Sequence, residues 1–299
     1  MQNYDIDYKK PNATCNELPN PETPRNLGCF HMRKHGSAMP YHLDVLLACI
    51  TMISTKYLIL ISILTALIER AQFSVNEIIY HKNALPFNGA TGDRTFLEYF
   101  LWETEKIHAK VRRYTSPDEY AFTSPLPEPI LPPLDYPEFL FPNDVNINDK
   151  IMDVYVNHLV GAICPEGDDK NYGSAATKDI DCLQALSRRI HYGKFIAESK
   201  FRSNPEEYTR LAMLNDTEAI DKLLTNKAVE MKLLKRLRRK ALTYGQTLDQ
   251  EEANISTLLK VPVDAVVELY ERWVIPLTKL VEVEYLLQRG RAWHEEHQK

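Results

Sequence analysis

Residues Gly167 to Phe201 are GDDKNYGSAATKDIDCLQALSRRIHYGKFIAESKF, a turn-rich loop followed by a long helical pattern. The loop, Gly167 to Gly173, is a cluster of turn formers, and Ser174 or Thr177 is positioned to cap the first backbone N–H groups of a following helix. From Ile180 onward, apolar residues recur with the 3.6-residue period of a helix that has one buried stripe. The stretch therefore predicts a loop leading into a helix that packs on a core.

Two cations on this predicted helix, Arg189 and Lys200, are eleven residues apart. At 100° per residue their side chains point within about 20° of one another, three turns apart. Two cations that face the same way beside a buried stripe suit a small dianion held at both ends. We therefore predict a small-ligand site on this helix.

The composition favours an all-helical chain with no nucleic-acid partner. The 299 residues are 44% hydrophobic, enough for a sizeable core in a single domain, and long runs of Leu, Lys, Glu and Arg favour helices. The net charge of −5 argues against nucleic-acid binding, because neutralising phosphates requires a basic face. The five cysteines form no CxxC pair, so they indicate neither a disulfide framework nor a zinc site, and a reducing compartment fits best.

The first part of the chain carries two expectations. Residues Met1 to Tyr41 are polar and rich in Pro and Asn, which predicts disorder and no signal peptide. Val45 to Ile68 holds one charge, Lys56, and is long enough to span a membrane. A buried first helix and a membrane anchor are the alternatives, and the buried helix is favoured because a lysine at the centre of a span costs roughly 3 kcal/mol.

The middle of the chain predicts a helix and a strap. Thr95 to Arg113 has near-helical apolar spacing and ends in the basic pair Arg112 and Arg113. Tyr114 to Asp149 carries eight prolines, which exclude regular helix over most of its length. Its aromatic residues indicate that this extended strap lies against the protein body, since a free linker would bury nothing with them.

One long helix is predicted between Asp216, a plausible N-cap, and Gly245, a plausible C′ residue. Asn226 and Glu230 lie one turn apart within it. Its basic run from Lys232 to Lys240 is interleaved with leucines, which is typical of a solvated helix face over a buried stripe.

The last helix is predicted to begin near Pro262, to bend at Pro276, and to place Thr278 and Glu282 one turn apart on one face. Each polar pair alone has a structural explanation, such as a surface salt bridge or a hydroxyl bonded to its own helix. Together, polar groups from three helices beside apolar stripes predict a ligand site inside a bundle. Without metal spacing or an activated nucleophile, they favour electrostatic holding over covalent catalysis.

The quoted stretch, with VRRYTSPDE at 111–119 and WVIPLTKLVEVEYLLQR at 273–289, closely resembles the chorismate mutases of the fungal and plant type. The resemblance runs from about Ile63 to Arg289, roughly three quarters of the chain. It implies an all-α, multi-helix bundle that forms a homodimer in the cytoplasm. It also implies the conversion of chorismate to prephenate, the committed step toward phenylalanine and tyrosine, with no cofactor.

Roles for six catalytic residues follow from the resemblance. Arg189 would bind a substrate carboxylate, and Lys200 would bind the ether oxygen, where negative charge develops in the transition state. Glu282 would reach the same oxygen and donates only when protonated, so we expect its pKa well above the reference of about 4.3 and activity that favours mildly acid pH. Asn226 and Glu230 would hold the ring hydroxyl and a carboxylate region. The sixth residue, Thr278, would contribute from the last helix.

The resemblance also implies allosteric regulation at a site between subunits, with tyrosine inhibiting and tryptophan activating. The matching positions are Arg112 and Arg113 from one chain, with Asn171, Gly173, Ser174 and Thr177 from the other. An amino-acid carboxylate is stabilised at a helix N-terminus, because free N–H groups point at it.

The N-terminal segment departs from the family. The family's first helix brings another arginine to the substrate, followed by an acidic pair, and the matching positions here hold Ile53, Leu60 and Ile61. We therefore divide the chain into an atypical segment over 1–62, a chorismate mutase domain over 63–290 and a tail over 291–299. The segment over 1–62 is explained either by a misjoined first exon or by divergence of this chain from the family. The alternative functions are then a catalytically impaired helical protein that keeps the amino-acid site and a membrane-anchored form.

Overall fold

The computed structural model describes residues 60–85, 91–134, 139–244 and 261–298. These residues belong to one compact unit and form α-helices, short 3-10 and π segments, and no β-strand. The predicted all-α class is confirmed. The disorder predicted for Met1 to Tyr41 lies outside the described residues, as do Lys56 and most of the apolar segment around it.

Helices account for most of the described chain. In order they are α1 over residues 60–70, α2 (Phe96–Lys110), α3 (Asn148–Val154), α4 (Val160–Ile163), α5 (Tyr172–His191), α6 (Gly193–Ser203), α7 (Pro205–Leu214), α8 (Thr217–Leu224), α9 (Lys227–Tyr244), α10 (Val263–Leu269) and α11 (Ile275–His297). Short 3-10 segments cover Glu77–Tyr80 and Arg113–Thr115, and π segments cover Tyr155–Leu159 and Tyr270–Val274. The π segments join α3 to α4 and α10 to α11.

The described part of α1 is a core helix. Ile63, Leu64 and Leu67 are each at most 2% exposed and belong to the main hydrophobic cluster. None of the helices in the described ranges is both long enough and apolar enough to span a membrane.

The C-terminal helix, α11, packs against α5, α6, α7 and α8. Two glycines allow its close approach to neighbours. A Cβ atom on Gly290 would lie 2.6 Å from the Ala212 Cβ in α7, and one on Gly193 in α6 would lie 2.9 Å from the Thr278 carbonyl oxygen. Contacts this short exclude a side chain larger than hydrogen, so both packing distances depend on glycine.

The proline-rich strap lies against the helices, as predicted. The buried Glu105 carboxylate of α2 accepts hydrogen bonds from the backbone N–H groups of Phe122 at 2.9 Å and Thr123 at 2.8 Å. Further along, the Tyr285 hydroxyl of α11 accepts from the Phe141 N–H at 2.8 Å, and Lys194 of α6 donates to the Val145 carbonyl. The strap therefore links α2 to the helices that carry the predicted ligand residues.

The helix predicted after Gly173 begins at Tyr172, but the predicted caps are wrong. Its N-cap residue is Asn171, whose side chain makes no capping hydrogen bond. The Thr177 hydroxyl donates to the Gly173 carbonyl at 2.8 Å, within the helix itself. Ser174 and Thr177 both lie inside the first turns, where a hydroxyl tends to bond to the preceding turn.

The predicted long helix is divided at Tyr192, between α5 and α6. Tyr192 keeps right-handed backbone angles, φ −57° and ψ −17°, so the chain continues in a helical sense. Arg189 and Lys200 are therefore carried by two successive helices and not by one.

The single helix predicted from Asp216 to Gly245 is also wrong. Asp216 does cap α8, by accepting from the Ala219 N–H at 2.9 Å, but α8 ends at Leu224. Thr225 is extended, with φ −79° and ψ 122°, and Asn226 accepts from the Val229 N–H at 3.2 Å at the start of α9. The expected C′ glycine lies outside the described residues.

Two lysines from other helices explain this break. Lys200 donates to the Leu224 carbonyl at 3.0 Å, and Lys279 donates to the Thr225 hydroxyl at 2.8 Å. The first bond satisfies a backbone carbonyl that is left free where the helical ladder stops, and the second holds the side chain of the next residue.

The last helix begins at Val263, directly after Pro262, as predicted. A π segment, Tyr270–Val274, lies just before Pro276, where a bend was predicted. Proline has no N–H group, so the regular hydrogen-bond ladder is interrupted at this point. The alternating apolar and acidic residues from Val281 to Tyr285 lie within the helix α11.

Candidate functional site

A cavity of about 820 Å³ lies between α1, α5, α6, the α8–α9 junction and the last two helices. All six residues predicted to act on the ligand line it: Arg189, Lys200, Asn226, Glu230, Thr278 and Glu282. The structure thus brings together side chains that are spread over almost a hundred positions of the sequence.

Arg189, in the last turn of α5, is the most distinctive group in the cavity. Its side chain is almost buried, and its Nη1 atom has no hydrogen-bond partner among the described residues. The Tyr270 ring lies 6.0 Å from its Cζ atom. Because Arg189 brings a guanidinium cation to the cavity wall, this geometry suits an anionic ligand.

Tyr270 forms the wall beside this guanidinium and is fully buried. Burial raises the pKa of its hydroxyl to about 12, although the positive charge of Arg189 opposes the shift. The hydroxyl is therefore neutral at physiological pH and adds no negative charge to the cavity.

Lys200, on α6, is held at the α8–α9 junction. Its ammonium group donates one hydrogen bond, to the Leu224 carbonyl at 3.0 Å. An ammonium carries three N–H donors, so this bond orients the cation without using all of its donors.

Thr278 and Glu282 lie one turn apart on α11, and both are buried. The Thr278 hydroxyl donates to the Val274 carbonyl at 2.6 Å, the bond to its own helix that the sequence allowed. A Cβ atom on Gly193 would come within 3.2 Å of Glu282 Cγ, so the start of α6 presses directly on this turn. Glycine at this position fixes how closely the two helices that carry Lys200 and Glu282 approach.

Asn226 and Glu230 reach the cavity from the start of α9. Asn226 Oδ1 accepts from the Val229 N–H at 3.2 Å. The Nδ2 group is therefore the part of this amide that can donate to a ligand. Glu230 Oε1 pairs with Lys279 Nζ at 2.8 Å. The start of α9 therefore orients the amide, and Lys279 of α11 orients the carboxylate.

The sequence did not single out several other residues of this cavity. Lys232, Arg236 and Lys279 bring the cations that line its described part to five, against the two carboxylates of Glu230 and Glu282. This surplus of positive charge suits a ligand with two negative charges. The basic run of α9, predicted as a solvated face, contributes two of these cations.

The departure at the first helix is visible in the same cavity. Leu60 is 4% exposed and lines the wall, where the resemblance implies a carboxylate. Ile61 lines a different cavity, of about 510 Å³, and Ile53 lies outside the described residues. The described part of α1 therefore gives the ligand cavity an apolar surface.

The two predicted groups of regulatory residues lie in different regions of the chain. Arg112 has the left-handed φ of 67° and donates to the Pro132 carbonyl. Arg113 contacts Glu119 at 3.2 Å and lines the smaller cavity together with Arg188. The other group, at the N-terminus of α5, consists of Asn171, Gly173, Ser174 and Thr177.

Arg188 lies beside Arg113 in the smaller cavity, near the C-terminal end of α5. Most of α5 therefore separates it from the group at the N-terminus of this helix within one chain. Thr177 and Arg188 are eleven helical residues apart, which corresponds to about 16 Å. The loop before α5 is fixed separately, because Asp169 accepts from the Ser74 N–H and from Asn76 Nδ2, each at 2.9 Å. These hydrogen bonds lower the pKa of Asp169 to about 2.

The fold is that of an all-α protein, and its described part encloses a cavity whose wall carries more cations than carboxylates. Comparisons with known proteins agree on the family. The model of the family "Chorismate mutase type II" matches residues 171–283. The chorismate mutase of Emericella nidulans is 48% identical over 238 residues, which cover 76% of this chain and 87% of that protein. This chain belongs to the chorismate mutase family, as its sequence motifs predicted.

Solved structures agree as well. The chorismate mutase of Candida albicans in complex with L-Trp has a TM-score of 0.74 and 41% identity, covering 80% of this chain and 90% of that one. The structure of AtCM1 with tyrosine bound in its allosteric site has a TM-score of 0.71 and 42% identity, covering 79% and 94%.

Proposed function

We propose that this protein is an isomerase that converts chorismate to prephenate in the biosynthesis of phenylalanine and tyrosine. Family membership supports the reaction, and the convergence of six predicted residues on one cavity supports its location. The observation that carries most weight is that Arg189, Lys200 and the other four predicted residues, which come from four helices, line one cavity.

The reaction is an intramolecular rearrangement, in which an ether C–O bond breaks as a C–C bond forms. Such a reaction needs no cofactor and no covalent intermediate. The protein contributes by holding the reactive conformer and by placing donors where charge develops. Arg189 and Lys200 fulfil these two functions in the proposal, the first at a carboxylate and the second at the ether oxygen.

The remaining residues have the following proposed roles. Glu282 donates to the same ether oxygen in its protonated form. Asn226 Nδ2 and Glu230 hold the ring hydroxyl and its surroundings, and Thr278 contributes from α11. The other cations of the cavity wall offset the charge of the substrate and accelerate its entry.

This proposal is tested by turnover of purified full-length protein with chorismate, compared with Arg189→Ala and Lys200→Ala. We expect kcat/KM to fall about 100-fold or more in each variant, since each removes a donor aimed at the reacting molecule. Arg210→Ala is the control, because Arg210 pairs with Glu207 on the exposed surface of α7. Equal turnover in Arg189→Ala and the control would contradict the site.

A second candidate function is supported by Leu60, which is apolar where the resemblance implies a carboxylate. On this alternative the protein is a catalytically impaired relative that keeps the amino-acid site. Binding of tyrosine or tryptophan in calorimetry, with no loss of chorismate, would favour it.

We also propose a cytoplasmic homodimer whose effectors are tyrosine, as inhibitor, and tryptophan, as activator. The effector carboxylate lies at the N-terminus of α5 of one subunit, near Asn171, Gly173, Ser174 and Thr177, and Arg112 and Arg113 come from the other. A site built from two chains is supported by the position of Arg113 beside Arg188, near the C-terminal end of α5, while the other group lies at the N-terminus of that helix. The proposed domain covers 63–290, with 1–62 and 291–299 outside it.

A further inference from the structure

Lys279, on α11, connects three parts of the proposed active site. Its Nζ atom lies 2.8 Å from Glu230 Oε1 on α9 and 2.8 Å from the Thr225 hydroxyl at the α8–α9 junction. The ion pair is partly sheltered, with side-chain exposures of 23% for Lys279 and 29% for Glu230. Lys279 therefore holds the carboxylate and the junction before Asn226 at the same time.

The charge of Glu230 creates a problem that this contact solves. An ionised carboxylate in the cavity wall repels a dianionic substrate, and in a partly desolvated cavity the repulsion is stronger than in water. A cation at 2.8 Å compensates that charge while leaving the second carboxylate oxygen to accept a hydrogen bond. Glu230 then acts as an oriented acceptor and not as a repelling charge.

The junction also needs an external tether. Thr225 is extended and carries no regular helical hydrogen bond beyond its N–H to Asp221, at 2.9 Å. Lys200 holds the Leu224 carbonyl, and Lys279 holds the next residue through its hydroxyl. Two lysines from separate helices thus fix the turn that presents Asn226.

We propose that Lys279 is a positioning residue of the active site, which neutralises and orients Glu230 and fixes the α8–α9 junction without contacting the substrate. This inference rests on the proposed function, because it concerns the same cavity and substrate. The residue lies next to Thr278 in sequence, but its role depends on a partner 49 positions away.

The test is a double-mutant cycle in the full chain, with Lys279→Met, Glu230→Gln and both changes combined. We expect Lys279→Met to raise KM about tenfold, since it leaves an unpaired carboxylate beside the substrate. The double variant should have a lower KM than Lys279→Met, because the neutral amide introduced by Glu230→Gln needs no counter-ion. Lys222→Met, an exposed change on α8, is the matched control.

Each outcome decides the proposal. Partial recovery of KM in the double variant supports it, and so does near-normal KM in Lys279→Arg, which keeps the charge if Lys279→Met does not fold. A KM in Lys279→Met equal to that of the control overturns the proposal. A double variant whose KM is as high as that of Lys279→Met also overturns it, since Lys279 would then act on the substrate directly. Wild-type protein without turnover would instead contradict the proposed function itself.

Discussion

Glu282 is the residue through which the proposed mechanism makes turnover depend on pH. It is buried on α11, one turn from Thr278, and in the proposed mechanism it donates to the ether oxygen only when protonated. An amide donates at every pH, so Glu282→Gln should make turnover nearly independent of pH, while wild-type turnover falls as pH rises.

The measurement is kcat for both proteins between pH 5 and 8. Glu268→Gln is the control, because Glu268 pairs with Arg272 on the exposed side of α10. If the Glu282→Gln profile has the same shape as that of the control, Glu282 is not the group that titrates.

Lys194 predicts a pH effect on stability. It is 1% exposed, donates to the Val145 carbonyl and lies 4.0 Å above the Tyr120 ring. Burial lowers the pKa of its ammonium to about 7, against about 10.4 in the unfolded chain. Between these values the unfolded chain binds the proton and the folded protein does not, so this group makes stability rise with pH, by up to about 1 kcal/mol per unit.

The comparison that isolates this effect is wild type against Lys194→Met, in urea unfolding at pH 6.5, 8 and 9. As pH rises from 7 to 9, the free energy of unfolding of wild type should increase relative to that of Lys194→Met. The free energy of unfolding of the surface variant Lys222→Met should change with pH in the same way as that of wild type. A constant difference between wild type and Lys194→Met would show that Lys194 keeps an ordinary pKa in the folded protein.

At this scale the sequence predicted the site in part. Helical spacing identified Arg189 with Lys200, Asn226 with Glu230, and Thr278 with Glu282, and the resemblance added a role for each of these six residues. Lys279 was not found, because its partner Glu230 is remote in sequence and its hydrogen bonds depend on the packing of α11. The hydroxyl bond of Thr278 to its own helix was only one of the possibilities that the residue type allows.

Among the elements, the contact between α6 and α11 is the most sensitive to a small change. Gly193→Ala places a Cβ atom 2.9 Å from the Thr278 backbone carbonyl oxygen, and a backbone atom cannot move aside as a flexible side chain can. We expect a loss of about 1–3 kcal/mol in stability and lower turnover, since Thr278 and Glu282 shift away from Lys200.

Thermal unfolding and kcat/KM measure the two effects. Gly161→Ala is the matched control, because an added Cβ on this helical glycine meets nothing within 4 Å. That change should stabilise the protein by about 0.5 kcal/mol. If both variants behave alike, the close approach of α6 to α11 does not position the site.

The element boundaries show where prediction from sequence stops. Asp216 was identified as an N-cap, but the break at Thr225 and Asn226 was not predicted, because neither residue excludes helix. The break depends on Lys200, which donates to the free Leu224 carbonyl, and on Lys279, which donates to the Thr225 hydroxyl. Tertiary hydrogen bonds of this kind override local propensity.

For the whole molecule, the central expectation is a regulatory site shared between two chains. Tyrosine should inhibit wild type, and Arg113→Ala should lose this response, as should a Gly173→Leu variant that blocks the start of α5. Each variant damages a different half of the proposed site. Chains mixed after unfolding and refolding should recover part of the response, since half of the heterodimer sites would be intact.

Inhibition of chorismate turnover by tyrosine measures this recovery, and sedimentation should give about twice the 34.6 kDa mass of the chain. Unmixed variants provide the baseline. A mixture that responds no better than that baseline would place the effector site within one chain.

The class and the family of the molecule were predictable from sequence, because helical periodicity and long motifs extend over about three quarters of it. The assembly was implied only by resemblance, since the proposed regulatory residues lie on two separate elements of one chain, after α2 and at the N-terminus of α5. The apolar wall formed by Leu60 likewise follows from its burial in α1 and not from any motif.

The most direct test of the account is to follow chorismate by NMR in the presence of the purified full-length protein between pH 5 and 8. Prephenate should appear as chorismate disappears, one molecule for each, faster at pH 5 than at pH 8 and at least 100-fold more slowly with Arg189→Ala. Chorismate that remains unchanged at every pH, or an equal rate with Arg189→Ala, would contradict it.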